Sequence, residues 1–276
     1  MIAPTRLFVG MAIFSACIGA GFAQDADQPK DATEFTRRAH NAILQELPFT
    51  DREDFADAER GFIAALPGGE IKLPGGGYAW NLNSYGFMRS DDVPPTVNPS
   101  LWRMGRLNMN NGLFQVTDRI YQVRGLDLSN MTIIEGDTGL IILDPLVTKE
   151  TAKVALDLYY ANRPRKPVVA VLYTHSHADH YGGVKGVTSE EDVKSGKVIV
   201  LAPEGFLEEA VSENIYAGNA MGRRTQYQYG AVLPRGTKGQ IDAGLGKTTS
   251  FGELTLIAPT DLIKKTGETR TVDGVE

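Results

Sequence analysis

Three of the chain's four histidines, His175, His177 and His180, fall within six residues, and Asp179 stands beside the last of them. Imidazole nitrogen and carboxylate oxygen together suit a borderline divalent cation such as zinc. Residues two apart on an extended segment project to one side, so His175 and His177 can grip one ion together. Asp179 and His180 follow within a turn and can face a second ion close by. Ser176 and Ala178 are small enough to let the segment curl, and Gly182-Gly183 permit backbone shapes that other residues resist. The fourth histidine, His40, stands alone in a helical stretch and reads as a surface or locally satisfied group.

Such a loop needs a rigid support, and the flanking sequence supplies one. Val168 to Tyr173 is an apolar strand that ends at the loop. Leu140 to Leu143 is another wholly apolar run, expected to be buried on both faces and stopped by Asp144-Pro145. Asp144 reads either as a strand-ending residue or as a support for the histidines. Two hairpins precede it, 113–116 with 120–123 and 131–134 with 140–143. Thr148 can cap a helix to about Ala161, with Ala152, Ala155, Leu156 and Tyr159 facing inward. Further on, the pattern predicts a strand over 196–202, helix over 204–229 with a break near Gly218, Gly-rich loop over 231–250 and a strand over 253–258. Upstream, helices are expected over 36–47 and 51–66, with an irregular segment over 67–100. Strand, helix, strand, helix, strand in this order indicates an α/β sandwich.

With 42% hydrophobic and 22% charged residues, the composition is that of a folded protein. The net charge of −6 argues against a nucleic-acid partner, which needs a basic face. Residues 1–23 read as an export signal: Arg6, an apolar run from Leu7 to Ala16, and a small-residue cleavage site at Gly21-Phe22-Ala23. A periplasmic or secreted location follows, with no stable membrane span after cleavage. Cys17 is the only cysteine and also offers a lipoprotein reading. Without it the chain has no thiolate, so metal ligation falls to nitrogen and oxygen.

The string His-x-His-x-Asp-His resembles the signature of the metallo-β-lactamase superfamily. The resemblance implies an αββα sandwich, two zinc ions and a metal-activated water as nucleophile. His175 and His177 would bind one ion, and Asp179 and His180 the other, with Asp179 also the catalytic candidate. Asp144 matches an acid that supports the histidine loop in that superfamily. Further strings resemble the alkyl sulfatase family: Asn98 to Arg103, Gly125 to Thr132, Thr174 to Gly183, and Ala217 to Met221 with Arg223-Arg224. Members hydrolyse linear alkyl sulfate esters such as dodecyl sulfate to alcohol and sulfate, and commonly form homodimers. On this resemblance Asn219, Arg223 and Arg224 are candidate sulfate-binding residues, since guanidinium matches a tetrahedral oxyanion. Both arginines could instead form helix-surface ion pairs.

The family pattern also has later acidic and histidine ligands, whereas no histidine follows His180 here. Glu204, Glu208 and Asp242 are further acidic residues with no ligand-like spacing. The expectation is a sandwich incomplete at its C-terminal side: 1–23 signal, 24–110 extension, 111–276 the first part of the catalytic domain. Such a chain alone would bind zinc weakly and turn over poorly. Two other readings stay open: a lactam, lactone or thioester hydrolase of the same superfamily, and an inactive zinc-binding remnant.

Overall fold

The computed structural model describes residues 28–276; the expected signal segment, with Cys17, lies outside them. Residues Asp31–Glu276 form one compact unit. Helix α1 (Glu34–Glu46) is capped by the Thr33 side chain, which accepts from the Thr36 N–H. Its His40 Nδ1 sits 3.0 Å from the Pro95 carbonyl, a local partner far from any metal chemistry. Helix α2 (Glu53–Glu59) is shorter than the 51–66 expected. Gly61, at φ +74, turns the chain, and β1 (Phe62–Ala64) runs as a strand beside Leu113 and Phe114. The helical spacing of Phe62 and Ile63 is therefore overruled by sheet pairing.

Strands β2 (Glu70–Lys72) and β3 (Tyr78–Asn81) make a two-stranded ribbon. Helix α3 (Pro99–Leu107) was not anticipated. Its start is nevertheless written in Asn98-Pro99, since Asn98 accepts from Ser100 and Leu101 N–H groups and Pro99 fits a first helical position.

Next come β4 (Gly112–Thr117), β5 (Ile120–Arg124), β6 (Met131–Glu135) and β7 (Leu140–Leu143), an antiparallel meander. Both expected hairpins are present. Helix α4 (Lys149–Asn162) follows, capped by Thr148 as expected. It leads to β8 (Val168–Leu172), parallel to β7. After α5 (Ala178–Tyr181) and α6 (Glu190–Lys194), β9 (Ile199–Pro203) adds in parallel to β8. Helix α7 (Phe206–Ser212) then passes through a π-turn over Glu213–Ala217 into α8 (Gly218–Tyr229), so the irregularity lies just ahead of Gly218. A last strand, β10 (Asp261–Ile263), pairs parallel with β9.

The eight-stranded sheet has the order β1-β4-β5-β6-β7-β8-β9-β10. Leu140 and Ile142 face the main core together with Ala152, Ala155, Leu156 and Tyr159 of α4, while Ile141 joins Ala170 and Leu201 in a separate cluster. Apolar burial on both faces explains the unbroken apolar run of β7.

The expected strand over 253–258 is not formed. Thr255 donates through both N–H and hydroxyl to the Gly182 carbonyl, and Ile257 is buried in the main core. Its alternation records this one-sided contact with the histidine loop, and sheet pairing falls instead to β10.

The loop between β8 and α5 is bracketed by two buried aromatics, Tyr173 and Tyr181. Both pack on Phe206: Tyr173 is stacked on it with ring centres 4.9 Å apart, and Tyr181 meets it edge-on at 5.6 Å. Phe206 is 3% exposed. The cluster ties both ends of the loop to α7. Replacing Phe206→Ala should lower unfolding free energy by about 3–5 kcal/mol in urea titration; a loss below ~1 kcal/mol would show that these rings do not anchor the loop.

Candidate metal centre and cavity

Asp144 ends β7 with φ +52, and Leu146 follows at φ +63. Left-handed backbone at non-glycine residues costs about 1–2 kcal/mol each and persists only where surrounding contacts hold it. Those contacts are visible. Asp144 Oδ1 accepts from the Thr174 N–H at 2.9 Å, and Oδ2 accepts from the Thr174 hydroxyl at 2.7 Å. The same Oδ2 lies 2.9 Å from His180 Nδ1. One carboxylate thus touches the start and the far side of the histidine loop.

With Nδ1 of His180 engaged, its Nε2 is turned to Asp179 Oδ2, 3.2 Å away. The ring of His175 lies 4.1 Å from that of His180 and 4.7 Å from that of His177, centre to centre. His175 Nδ1 is 3.0 Å from the Thr174 hydroxyl. The four side chains singled out by spacing therefore form one cluster with Asp144 beneath it.

Charge follows from this geometry. Burial pushes the His180 imidazole down, but the hydrogen bonds and charges of Asp144 and Asp179 outweigh it and raise it to about 9. Burial alone would raise Asp179, yet its hydrogen bond and charge interaction with His180 bring it below the ordinary carboxylate value. His175 is lowered by burial and by its imidazole neighbours, which favours the neutral, ligating form.

Among the described residues, no group of three or more His, Cys, Asp or Glu side chains is disposed to hold one metal ion. The donor pair His180 Nε2 and Asp179 Oδ2 nevertheless fits one. Two donors at about 2.0–2.1 Å from a tetrahedral zinc stand roughly 3.3 Å apart, and the observed separation is 3.2 Å. Donor types and pair spacing suit zinc, with the other side of His180 fixed by a carboxylate as metal-bound histidines usually are.

A cavity of about 580 Å³ opens against this cluster, within the usual range for small-molecule sites. His177 and Asp179 line one side and α8 lines the other, including Arg224. Leu128, Val147 and Met221 give it apolar surface. Asn219 and Arg223, the other two sulfate-binding candidates, are exposed on α8 and are not part of the lining. Neither arginine is ion-paired among the described residues. Glu204, Glu208 and Asp242 also stand apart from the cavity; Asp242 is buried against Lys247. Glu213, Asn214 and Tyr229 line it without having been anticipated, because a helix interrupted by a π-turn does not keep a fixed register from sequence alone.

Residues 124–273 match the Metallo-beta-lactamase superfamily. The chain is 56% identical over 262 residues to a linear primary-alkylsulfatase from Pseudomonas sp., covering 95% of this chain and 39% of that protein. It is 56% identical over 247 residues to the alkyl/aryl-sulfatase BDS1 of Saccharomyces cerevisiae, covering 90% and 38%. The solved structure of the stereoselective inverting sec-alkylsulfatase Pisa1 from Pseudomonas sp. superposes with a TM-score of 0.86 at 54% identity, over 90% of this chain and 39% of that one. The chain thus spans about two fifths of the length of these relatives. With its signature loop, sheet and cavity assembled as described, the chain belongs to the metallo-beta-lactamase superfamily.

Proposed function

We propose that this chain provides the histidine–aspartate part of a dizinc centre that hydrolyses alkyl sulfate esters such as dodecyl sulfate to alcohol and sulfate. The observation that carries the proposal is the shared cavity: His177 and Asp179 line the same space as Arg224 and the apolar Leu128, Val147 and Met221. His175 and His177 would hold one ion, Asp179 and His180 the other. When bound, such ions would acidify a water molecule and offset the negative charge of the ester. Arg224 presents a planar fork of donors to the sulfate oxygens, and the apolar wall accepts the alkyl chain. Asp144 keeps His180 Nδ1 engaged, so that Nε2 is the nitrogen offered to the site. The expected signal over 1–23 supports a periplasmic or secreted location, and the family resemblance supports a homodimer. No helix among the described residues is long and apolar enough to cross a membrane.

In the protein that carries this chain, release of sulfate from dodecyl sulfate should exceed turnover of a β-lactam or a lactone. His177→Ala should remove that activity along with bound zinc. Preference for a lactam or lactone would move the assignment to another hydrolase of the superfamily, and absence of bound metal would favour a remnant. Arg224→Ala should raise KM for dodecyl sulfate by ~10–100-fold, the loss of a charged hydrogen bond, whereas Arg223→Ala should change it little. Equal effects would remove Arg224 from the sulfate site.

The His180 proton yields a test in the metal-free chain. It is held more tightly in the folded state, at about 9, than at the ordinary 6.5. Its stabilising contribution is therefore complete below about pH 6.5 and is lost as pH rises through about 9. Zinc must displace that proton, so zinc affinity in competition titrations should climb between pH 6 and 9 more steeply than in His180→Ala. Parallel slopes would mean that His180 does not ligate.

A further inference from the structure

Behind the cavity wall lies a carboxylate that the proposed chemistry does not use. Asp127, in the loop between β5 and β6, is 3% exposed. It has no cationic partner among the described residues, and five donors surround it. Oδ1 accepts from the Leu128 N–H at 2.8 Å and the Ser250 N–H at 3.1 Å. Oδ2 accepts from the Thr151 hydroxyl at 2.7 Å, the Ser250 hydroxyl at 2.7 Å and the Val147 N–H at 3.2 Å. A buried carboxylate is tolerated only when its lone pairs are matched in this way.

These donors come from separate stretches of chain: the turn after β7, the first turn of α4 and the strap at 250. The turn and the strap border the site. Val147, Leu128 and Thr249, adjacent to or among the Asp127 partners, line the cavity. Two residues beyond Asp127, the Ser129 hydroxyl donates to the Asp179 carbonyl oxygen. On the other side, the Gly183 N–H donates to the Leu146 carbonyl at 3.0 Å. Gly182 and Gly183 lie so close to the Val147 and Pro145 carbonyls that a Cβ at either would collide with them. The histidine loop is thus held at Asp179 by the loop of Asp127, and at its glycines by the turn that Asp127 grips.

We infer that Asp127 is the positioning residue of the site, a buried carboxylate that fixes the 125–129 loop and the 145–148 turn and through them sets where His175, His177, Asp179 and His180 stand. Its functional meaning rests on the proposed metal centre, but the positioning itself does not. The choice of Asp over Asn follows from the donors. Asn in the best orientation would still set its NH₂ against the Val147 N–H, so an isosteric change releases the turn that backs the glycines.

The test exploits the histidine count. The chain has four histidines, three in the loop and His40 on α1, so imidazole NMR signals of the metal-free chain carry their own control. Asp127→Asn should shift or broaden the signals of His175, His177 and His180 and leave that of His40 in place. Zinc affinity should fall by ~10–100-fold, as when outer-shell support is lost. Ile133→Val, a core change away from the loop, is the comparison for general loosening; it should move none of the four signals. If Asp127→Asn does not fold, Ser129→Ala decides, since it removes only the hydroxyl on the Asp179 carbonyl and should shift the same three signals. Unmoved loop signals in the folded variant, or equal movement in Ile133→Val, would overturn the inference. A wild-type chain that binds no zinc would count against the metal centre alone, because the imidazole signals still report on Asp127.

Discussion

Asp144 meets Thr174 at the start of the histidine loop and His180 beyond its middle, and both contacts are made by one carboxylate at the end of β7. That side chain can serve both only because the backbone bends sharply after the strand, with positive φ at Asp144 and again at Leu146. The bend is unfavourable locally and is maintained by the pairing of β7 with β8, which brings the two strand ends side by side. Sheet register, backbone strain and side-chain orientation are therefore one linked constraint. A shift of β8 by one residue would turn Thr174 away and free the imidazole of His180.

The electrostatics of the cluster follow from the same constraint. Three imidazoles at near-contact distances repel if protonated, and two carboxylates attract whichever carries the proton. Hydrogen bonds and charges from Asp144 and Asp179 raise the His180 imidazole to about 9, while burial and the neighbouring imidazoles lower that of His175. A proton and a divalent cation are alternatives for the same carboxylate–imidazole pair.

Much of this was legible in the sequence, and the parts that were not share a cause. The histidine loop, both hairpins, the Thr148 cap and the doubly buried β7 are local patterns, set by residues close together along the chain. Asp144 reads from sequence either as a strand end or, by resemblance, as a support, because its partner Thr174 lies thirty residues on. What escaped notice depends on distant contacts. Phe62 and Ile63 pair as a strand because Phe114 lies beside them, and Thr255 alternates because Gly182 does. Arg223 and Arg224 are neighbours in sequence, yet only one faces the cavity, and the π-turn before α8 decides which. Asp127 belongs to the family-like string Gly125 to Thr132, but its five donors come from residues 128 to 250 and no local pattern announces them.

Gly182 and Gly183 have a consequence for transplanting this chemistry. Their bare α-carbons press against carbonyls of the 145–147 turn, so loop and turn interlock like two parts of a hinge pin. A designer who grafted the hexapeptide alone onto another strand end would import the donors without the surface that shapes them. The smallest portable unit is the loop, the bend after β7 and the acidic loop behind it, three segments that must travel together.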